Sequence, residues 1–362
     1  MSNASQLIEQ PSLFAAYCLA VIHKTFIALD GAYAAASLLS ALLLALAFLL
    51  RHRLSSRRIP SLRVLRRALL PRRLVASPSG RADVGLFLFN VFLFGLIFGW
   101  MLITAHFVAA AVGKGLVTML GPPQPPALPE IVAMALVVAA LLLAYEFAYW
   151  LDHYLAHTIP FLWEFHKVHH SAEILSPLTN ARMHPVDTVV YYNINALVMG
   201  ATGGLAQYAL GMPLPDHRFW YGSALVLVFS YTVGHLHHSH IWIAFTGFWG
   251  KLFLSPAHHQ IHHSTNPIHF NKNLGHAVGI FDWLFGTLHI PQRKREKLTF
   301  GVEPRPANPH TISACLLQPV RDALGHVLAH KRPSDRSHTG EACREAPESA
   351  ASQVRPLASS GF

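Results

Sequence analysis

Charge is the scarcest commodity in this sequence. Asp, Glu, Lys and Arg make up only 13% of its 362 residues, and mean hydropathy is +0.34. Soluble globular chains run nearer a quarter charged, so the exterior expected of a cytosolic enzyme is excluded. Cysteine is nearly missing: Cys18, Cys315 and Cys343 are too few and too scattered for a disulfide framework or a thiolate metal site. Two carboxylate patterns are also absent. No Glu has a His three residues later, which removes the Glu-x-x-His arrangement of carboxylate di-iron bundles, and the H-E-x-x-H helix of zinc peptidases does not occur.

What the sequence has instead is apolar length. Hydrophobic residues make up 52%, with uncharged runs at Ala32–Leu50 and Val84–Val112 and a third apolar run at Ile131–Trp150. A membrane-spanning helix needs roughly 20 such residues. Net charge is +10, from 28 Lys and Arg against 18 Asp and Glu, and Arg51–Arg81 alone carries ten arginines and no acid. A basic patch can bind nucleic acid; flanked by two apolar runs, this one reads as a cytoplasmic loop under the positive-inside rule, with no nucleic-acid partner.

Topology follows by counting. With that loop inside, the second run exits, Gly121–Pro129 (GPPQPPALP) turns outside, and Ile131–Trp150 returns to the cytoplasmic face at His153. Val189–Leu210 and Phe219–Val233, interrupted by Gly203, Gly204, Gly211, Pro213 and Pro215, read as a further hairpin or re-entrant pair ending at His235 on the same face. Leu13–Leu29 is apolar but lacks the basic start and cleavage site of a signal peptide. The tail beyond Lys331, rich in Pro, Ser, Ala and charge, is expected to be disordered.

Histidine is the second surplus, with 25 residues, 18 of them between His153 and His289. His153 and His157 are four apart; His166, His169 and His170 form HKVHH; His259, His262 and His263 form HQIHH. Residues three and four apart share a helix face, so each cluster can aim imidazoles at one point. His235 and His238, in GHLHHSH, add a fourth contribution. A tetrahedral zinc takes four ligands, so this many nitrogens implies two metals. Imidazole alone does not choose among zinc, copper, iron and nickel.

In this order, HxxxH, HxxHH and HxxHH resemble the fatty acid hydroxylase / sterol desaturase superfamily of integral-membrane histidine-box oxygenases. The likeness extends to Arg182-x-His184-Pro185-x-Asp187, to Ser255-Pro256 before the last box, to Asn273-Leu-Gly275, and to Asp282-Trp-Leu-Phe285-Gly286-Thr287. It covers about residues 140–290. Aligning HHSH with the family's H-S-N puts His238 in the ligand position, leaving His235 as second candidate and His237 and His240 as surface histidines; the SPxxHxxHH pattern selects His259 over His258.

The resemblance implies an all-α, multi-pass transmembrane helical bundle with a cytoplasmic helical cap holding the histidines. Residues 1–130 would be anchoring helices with the basic loop 51–81, 131–290 the catalytic domain, and 291–362 a basic and then disordered tail. It further implies two iron ions, O2 as co-substrate, a lipid substrate to be hydroxylated or desaturated, and a separate electron donor of cytochrome b5 or ferredoxin type, for which the arginine loop offers a docking surface. Asp152, His184, Asp187, Asn273, His276 and Asp282 are candidates to support the ligands from behind, and no catalytic residue beyond the ligands is assigned. The aromatics Tyr145, Phe147, Tyr149 and Trp150 read as an interfacial belt, and Phe87 and Phe94 as lipid-facing. The competing reading is a non-catalytic histidine-rich metal-binding or metal-transport protein, in which ionisable residues would sit within the spans.

Overall fold

The computed structural model describes residues 11–29, 31, 33–55, 61–69, 71–211, 228–303 and 309–330. Among them the chain is helical, with no strand beyond isolated bridges such as Phe253 to Val278. The principal helices are α1 (Pro11–Ile22), α2 (Ala35–Ser55), α3 (Leu62–Leu69), α4 (Pro78–Phe92), α5 (Ala105–Leu120), α6 (Glu130–Thr158), α7 (Pro160–His170), α8 (Pro185–Leu210), α9 (Gly247–Leu252), α10 (Pro256–His262), α11 (Ile280–Leu284) and α12 (Ile312–His330).

Starts and stops follow local chemistry. Proline occupies the first turn of α4, α7, α8 and α10, where its missing N–H costs nothing. Ser77, Thr104 and His184 cap α4, α5 and α8 by accepting from Gly80, Phe107 and Val186 amides. Gly121 and Gly211, both at positive φ, end α5 and α8.

Helices α5, α6 and α8 form the bundle that carries the site. Two described stretches are long and apolar enough to cross a membrane: Phe94–Leu120 and α6. The 29 residues of α6 extend about 43 Å, against a hydrocarbon core of about 30 Å. At the far end, Tyr208 Oη donates to the Gly121 carbonyl and Gly211 lies against Pro125, so the Pro-rich turn closes the end opposite the histidines.

Several placements differ from expectation. α8 runs unbroken through Gly203 and Gly204, and its glycines permit close approach instead: a Cβ on Gly200 would fall 2.6 Å from the Ala105 carbonyl, and one on Gly204 would fall 2.7 Å from that of Ala109. The run 32–50 is helical from Ala35, as a span would be, and packs beside the segment 229–235. Ser37 Oγ meets His235, Ser40 meets the Tyr231 carbonyl, and Leu44 packs with Phe229 and Phe245. Phe87 and Phe94 are buried, the former edge-on to Tyr33. The expected Phe219–Val233 span lies partly, and the tail from Lys331 wholly, outside the described residues. Just before that tail, α12 was not anticipated; it docks on α7 through Lys167 to Asp322 and His326 to Glu164.

Candidate metal centre

Nine of the ten histidines singled out by spacing come together in two groups. His153, His157, His166, His170 and His262 form the first, and His169, His238, His259 and His263 the second, with the ligating nitrogens of each group all within 4.8 Å of one another. The groups abut: the His170 and His263 rings stack at 4.5 Å. Helical periodicity explains the sorting. Pairs four apart (His153/His157, His166/His170) face the first group, while His259/His263 face the second. The remaining histidine of each HxxHH box turns to the other group, His169 to the second and His262 to the first. Each box therefore serves both groups and ties them together.

The second group is too crowded to be a hydrogen-bond network. His238 Nε2 lies 2.8 Å from His259 Nε2 and 3.1 Å from both His169 Nε2 and His263 Nε2, and the last lies 3.1 Å from His259 Nε2. A neutral imidazole has one N–H, so these contacts cannot all be bridged by protons. Lone pairs converging on one cation resolve the crowding. Nitrogens bound tetrahedrally at 2.0–2.1 Å stand about 3.3 Å apart, close to the spacing found.

In the first group the proton positions are set from behind. His153 Nδ1 donates to the Leu274 carbonyl at 2.8 Å, His262 Nδ1 to the Lys272 carbonyl at 2.9 Å, and His166 Nδ1 lies 3.1 Å from Asp187 Oδ2. Their Nε2 atoms are buried with no hydrogen-bond partner among the described residues. Three orphaned lone pairs at one point are what a metal ion requires. No carboxylate belongs to either group. Burial, reinforced by neighbouring imidazoles, pushes His169, His170, His259 and His263 well below the ordinary histidine range and His238 and His262 down to about 3. At neutral pH these rings are uncharged and available to a cation.

The loop 272–278 supplies the carbonyls. Asn273, left-handed at φ 57°, lies between the Lys272 and Leu274 carbonyls; its side chain donates to the His258 carbonyl and accepts from the His289 amide. Asp282 accepts from the Leu274 and Gly275 amides and from Thr287 Oγ1, so it acts on His153 through the Leu274 peptide. Glu146, buried in the middle of an apolar helix, accepts from the Ala277 and Val278 amides. Sequence reasoning passed over Glu146, although a carboxylate inside a spanning run is itself a signal. It also passed over the hub role of Arg182, which is fully buried and donates to the Val168 and Ser79 carbonyls, Ser171 Oγ and Asp83.

The remaining candidates stand elsewhere. His235 Nε2 is 2.9 Å from Ser37 Oγ, outside both groups. His184 caps α8 and donates from Nε2 to the Leu316 carbonyl. His276 approaches Glu146 and packs on Tyr145 and Tyr149. Asp152 is buried, and its Oδ1 has no hydrogen-bond partner among the described residues. His258 lies between Ser255 and the Gly250 carbonyl. His237, read as a surface residue, is buried and stacks on His259 at 5.1 Å. Tyr149, assigned to an interfacial belt, packs inward against His153 and Tyr191.

Residues 138–287 match the fatty acid hydroxylase family. Among curated proteins the chain is 33% identical over 193 residues to ornithine lipid hydroxylase OlsE of Rhizobium tropici, covering 51% of this chain and 54% of that one. It is 29% identical over 192 residues to alkylglycerol monooxygenase of Caenorhabditis elegans, covering 51% and 32% respectively. It is 25% identical over 167 residues to putative Delta(7)-sterol-C5(6)-desaturase 2 of Arabidopsis thaliana, covering 44% and 51%. The chain thus spans about half or less of the length of these relatives, and no solved structure matches it. The domain match, the relatives and the histidine boxes in their order agree: residues 138–287 form a domain of the fatty acid hydroxylase type, similar to proteins named as a lipid hydroxylase, a monooxygenase and a putative sterol desaturase.

Proposed function

We propose that the protein is a membrane-bound di-iron oxidoreductase that uses O2 and electrons from a separate cytochrome b5- or ferredoxin-like donor to oxidise a lipid C–H bond by hydroxylation or desaturation. One iron would be held by the five-histidine group and the other by the four-histidine group. The observation that carries this reading is the convergence of histidine nitrogens at two adjoining points, with the His153, His166 and His262 Nε2 atoms buried and without a hydrogen-bond partner among the described residues at one and four Nε2 atoms crowded together at the other. Iron, when bound, would supply the O2-activating redox chemistry that imidazole lacks.

The chain's own residues do the rest. Asp187 and the Lys272 and Leu274 carbonyls hold protons at Nδ1 and leave the inner nitrogens bare. Every histidine in the four-membered group is buried. The relatives named for hydroxylation or monooxygenation of an ornithine lipid and of alkylglycerol favour hydroxylation of a lipid carrying a hydrocarbon chain. The apolar helices and the family fit an integral membrane protein, with the histidine end facing the cytoplasm.

The test is purification in lipid nanodiscs, metal analysis, and O2 uptake with a chemical reductant and candidate lipids. Two irons per chain and a product heavier by one oxygen, or lighter by two hydrogens, are expected. His169→Ala should lose metal while remaining inserted. An iron-free protein that consumes no O2 with any lipid would overturn the reading.

A further inference from the structure

Phe229 stands between two cavities. On one side is a groove of about 620 Å³, lined by apolar side chains that include Leu44 and Phe48 of α2, Val233, Phe245 and Phe253. Arg51 is the one charged residue among its described lining, seven positions beyond Leu44 and hence about 10 Å along the helix. On the other side is a cavity of about 90 Å³ against the four-histidine group, where Tyr149, His237, His238, His259 and His276 meet. Phe229 lines both. Its ring is buried, 4.9 Å from that of His237 and 4.6 Å from that of His276.

The local backbone gives that ring its place. Phe229 precedes the π-helical turn Ser230–Gly234, a distortion that often marks functional positions. The ring rests over Gly234, where an added Cβ would lie 3.3 Å from two of its carbons. Any larger residue at 234 would press the ring towards the cavities.

We propose that Phe229 is a specificity-determining gate: an anionic lipid lays one hydrocarbon chain in the groove with its head group at Arg51, and the Phe229 ring sets which carbon of that chain reaches the four-histidine group. This rests on the lipid-oxidising reading above. An apolar lining favours a hydrocarbon chain over any polar occupant, and the one charge among its described lining, Arg51, is positive, which selects an anionic head.

The test uses the full chain in nanodiscs and has two arms. In the first, which needs no turnover, a diazirine-bearing long-chain fatty acid is photo-crosslinked to the protein. Labelling is expected on peptides containing Leu44–Phe48 and Phe229. It should be lost in Leu44→Trp and reduced about tenfold in Arg51→Gln, with iron content unchanged in both. In the second, products of Phe229→Ala, Phe229→Trp and Gly234→Ala are mapped by mass spectrometry; Phe229→Ala should move the oxidised position or relax chain-length preference, and the other two should narrow it. Labelling that ignores Leu44→Trp overturns the groove. Groove labelling with identical products from all variants overturns the gate. Groove labelling by a wild type that oxidises no lipid sinks the lipid-oxidising reading and the gate with it, while lipid binding in the groove stands.

Discussion

His166 and Asp187 are joined by a 3.1 Å contact from Nδ1 to Oδ2, both buried, while His166 Nε2 faces the first histidine group without a hydrogen-bond partner among the described residues. The carboxylate fixes the tautomer and the orientation of the ring. Asp187→Asn keeps the shape and removes the charge, so metal affinity should fall about 10–100-fold, read by competition with a chelator. Asp187 also sits in the first turn of α8, where a carboxylate favours the helix N-terminus. If only this second role operated, thermal stability would drop and metal affinity would not.

The helices and the histidines were legible in the sequence for different reasons. A long apolar run identifies α6 despite Glu146 within it, whereas the run Val84–Val112, read as one span, is divided between α4 and α5 by a break at 99–104; the box spacings sort histidines onto faces because 3.6 residues make a turn. What spacing cannot report is which face of a two-turn helix meets which neighbour. For that reason His237 was read as exposed and His235 as a ligand, although Ser37, nearly two hundred residues earlier, claims the latter. Glu146 and Arg182 were hidden likewise, since their partners, the 277–278 amides and Asp83, are fixed by packing at long range.

Arg182 and Asp83 form a fully buried ion pair at 2.9 Å, linking the start of α4 to the segment between α7 and α8. Burial pushes the Asp83 carboxyl up even though Arg182, Thr179 and Ser176 pull the other way. Removing one partner strands a buried charge, so Arg182→Met should destabilise by about 3–5 kcal/mol. The double variant with Asp83→Asn should recover part of that loss. Thermal unfolding of the four proteins in one detergent measures the coupling, and additive effects would show that the pair does not hold α4 to the segment between α7 and α8.

Gly200 and Gly204 let α8 approach α5 until no Cβ fits. Small residues four apart are a recurrent device where helices meet in lipid, since packing there replaces the hydrophobic effect. Gly204→Leu should therefore spread the bundle and lower the unfolding temperature, whereas the same substitution at Gly113, where a Cβ meets nothing within 4 Å, should be nearly silent. Equal effects at the two sites would remove close packing as the cause.

His184 gives the fold an acid-sensitive point away from the metal groups. Its Nδ1 accepts from the Val186 amide and its Nε2–H donates to the Leu316 carbonyl, joining α8 to α12. Burial lowers its pKa, outweighing the opposing influence of the Leu316 bond and Asp187. The folded ring thus stays neutral while the unfolded one takes up a proton through about pH 6.5. The stability it contributes is present above that pH and declines as pH falls, by at most about 1.4 kcal/mol per unit. In His184→Asn the amide oxygen can still cap α8, but nothing at that position titrates. The variant should be less stable than wild type at pH 7.5 and lose less on acidification to pH 5, as read from urea midpoints across the series. Parallel pH profiles for the two proteins would show that His184 is not the titrating group.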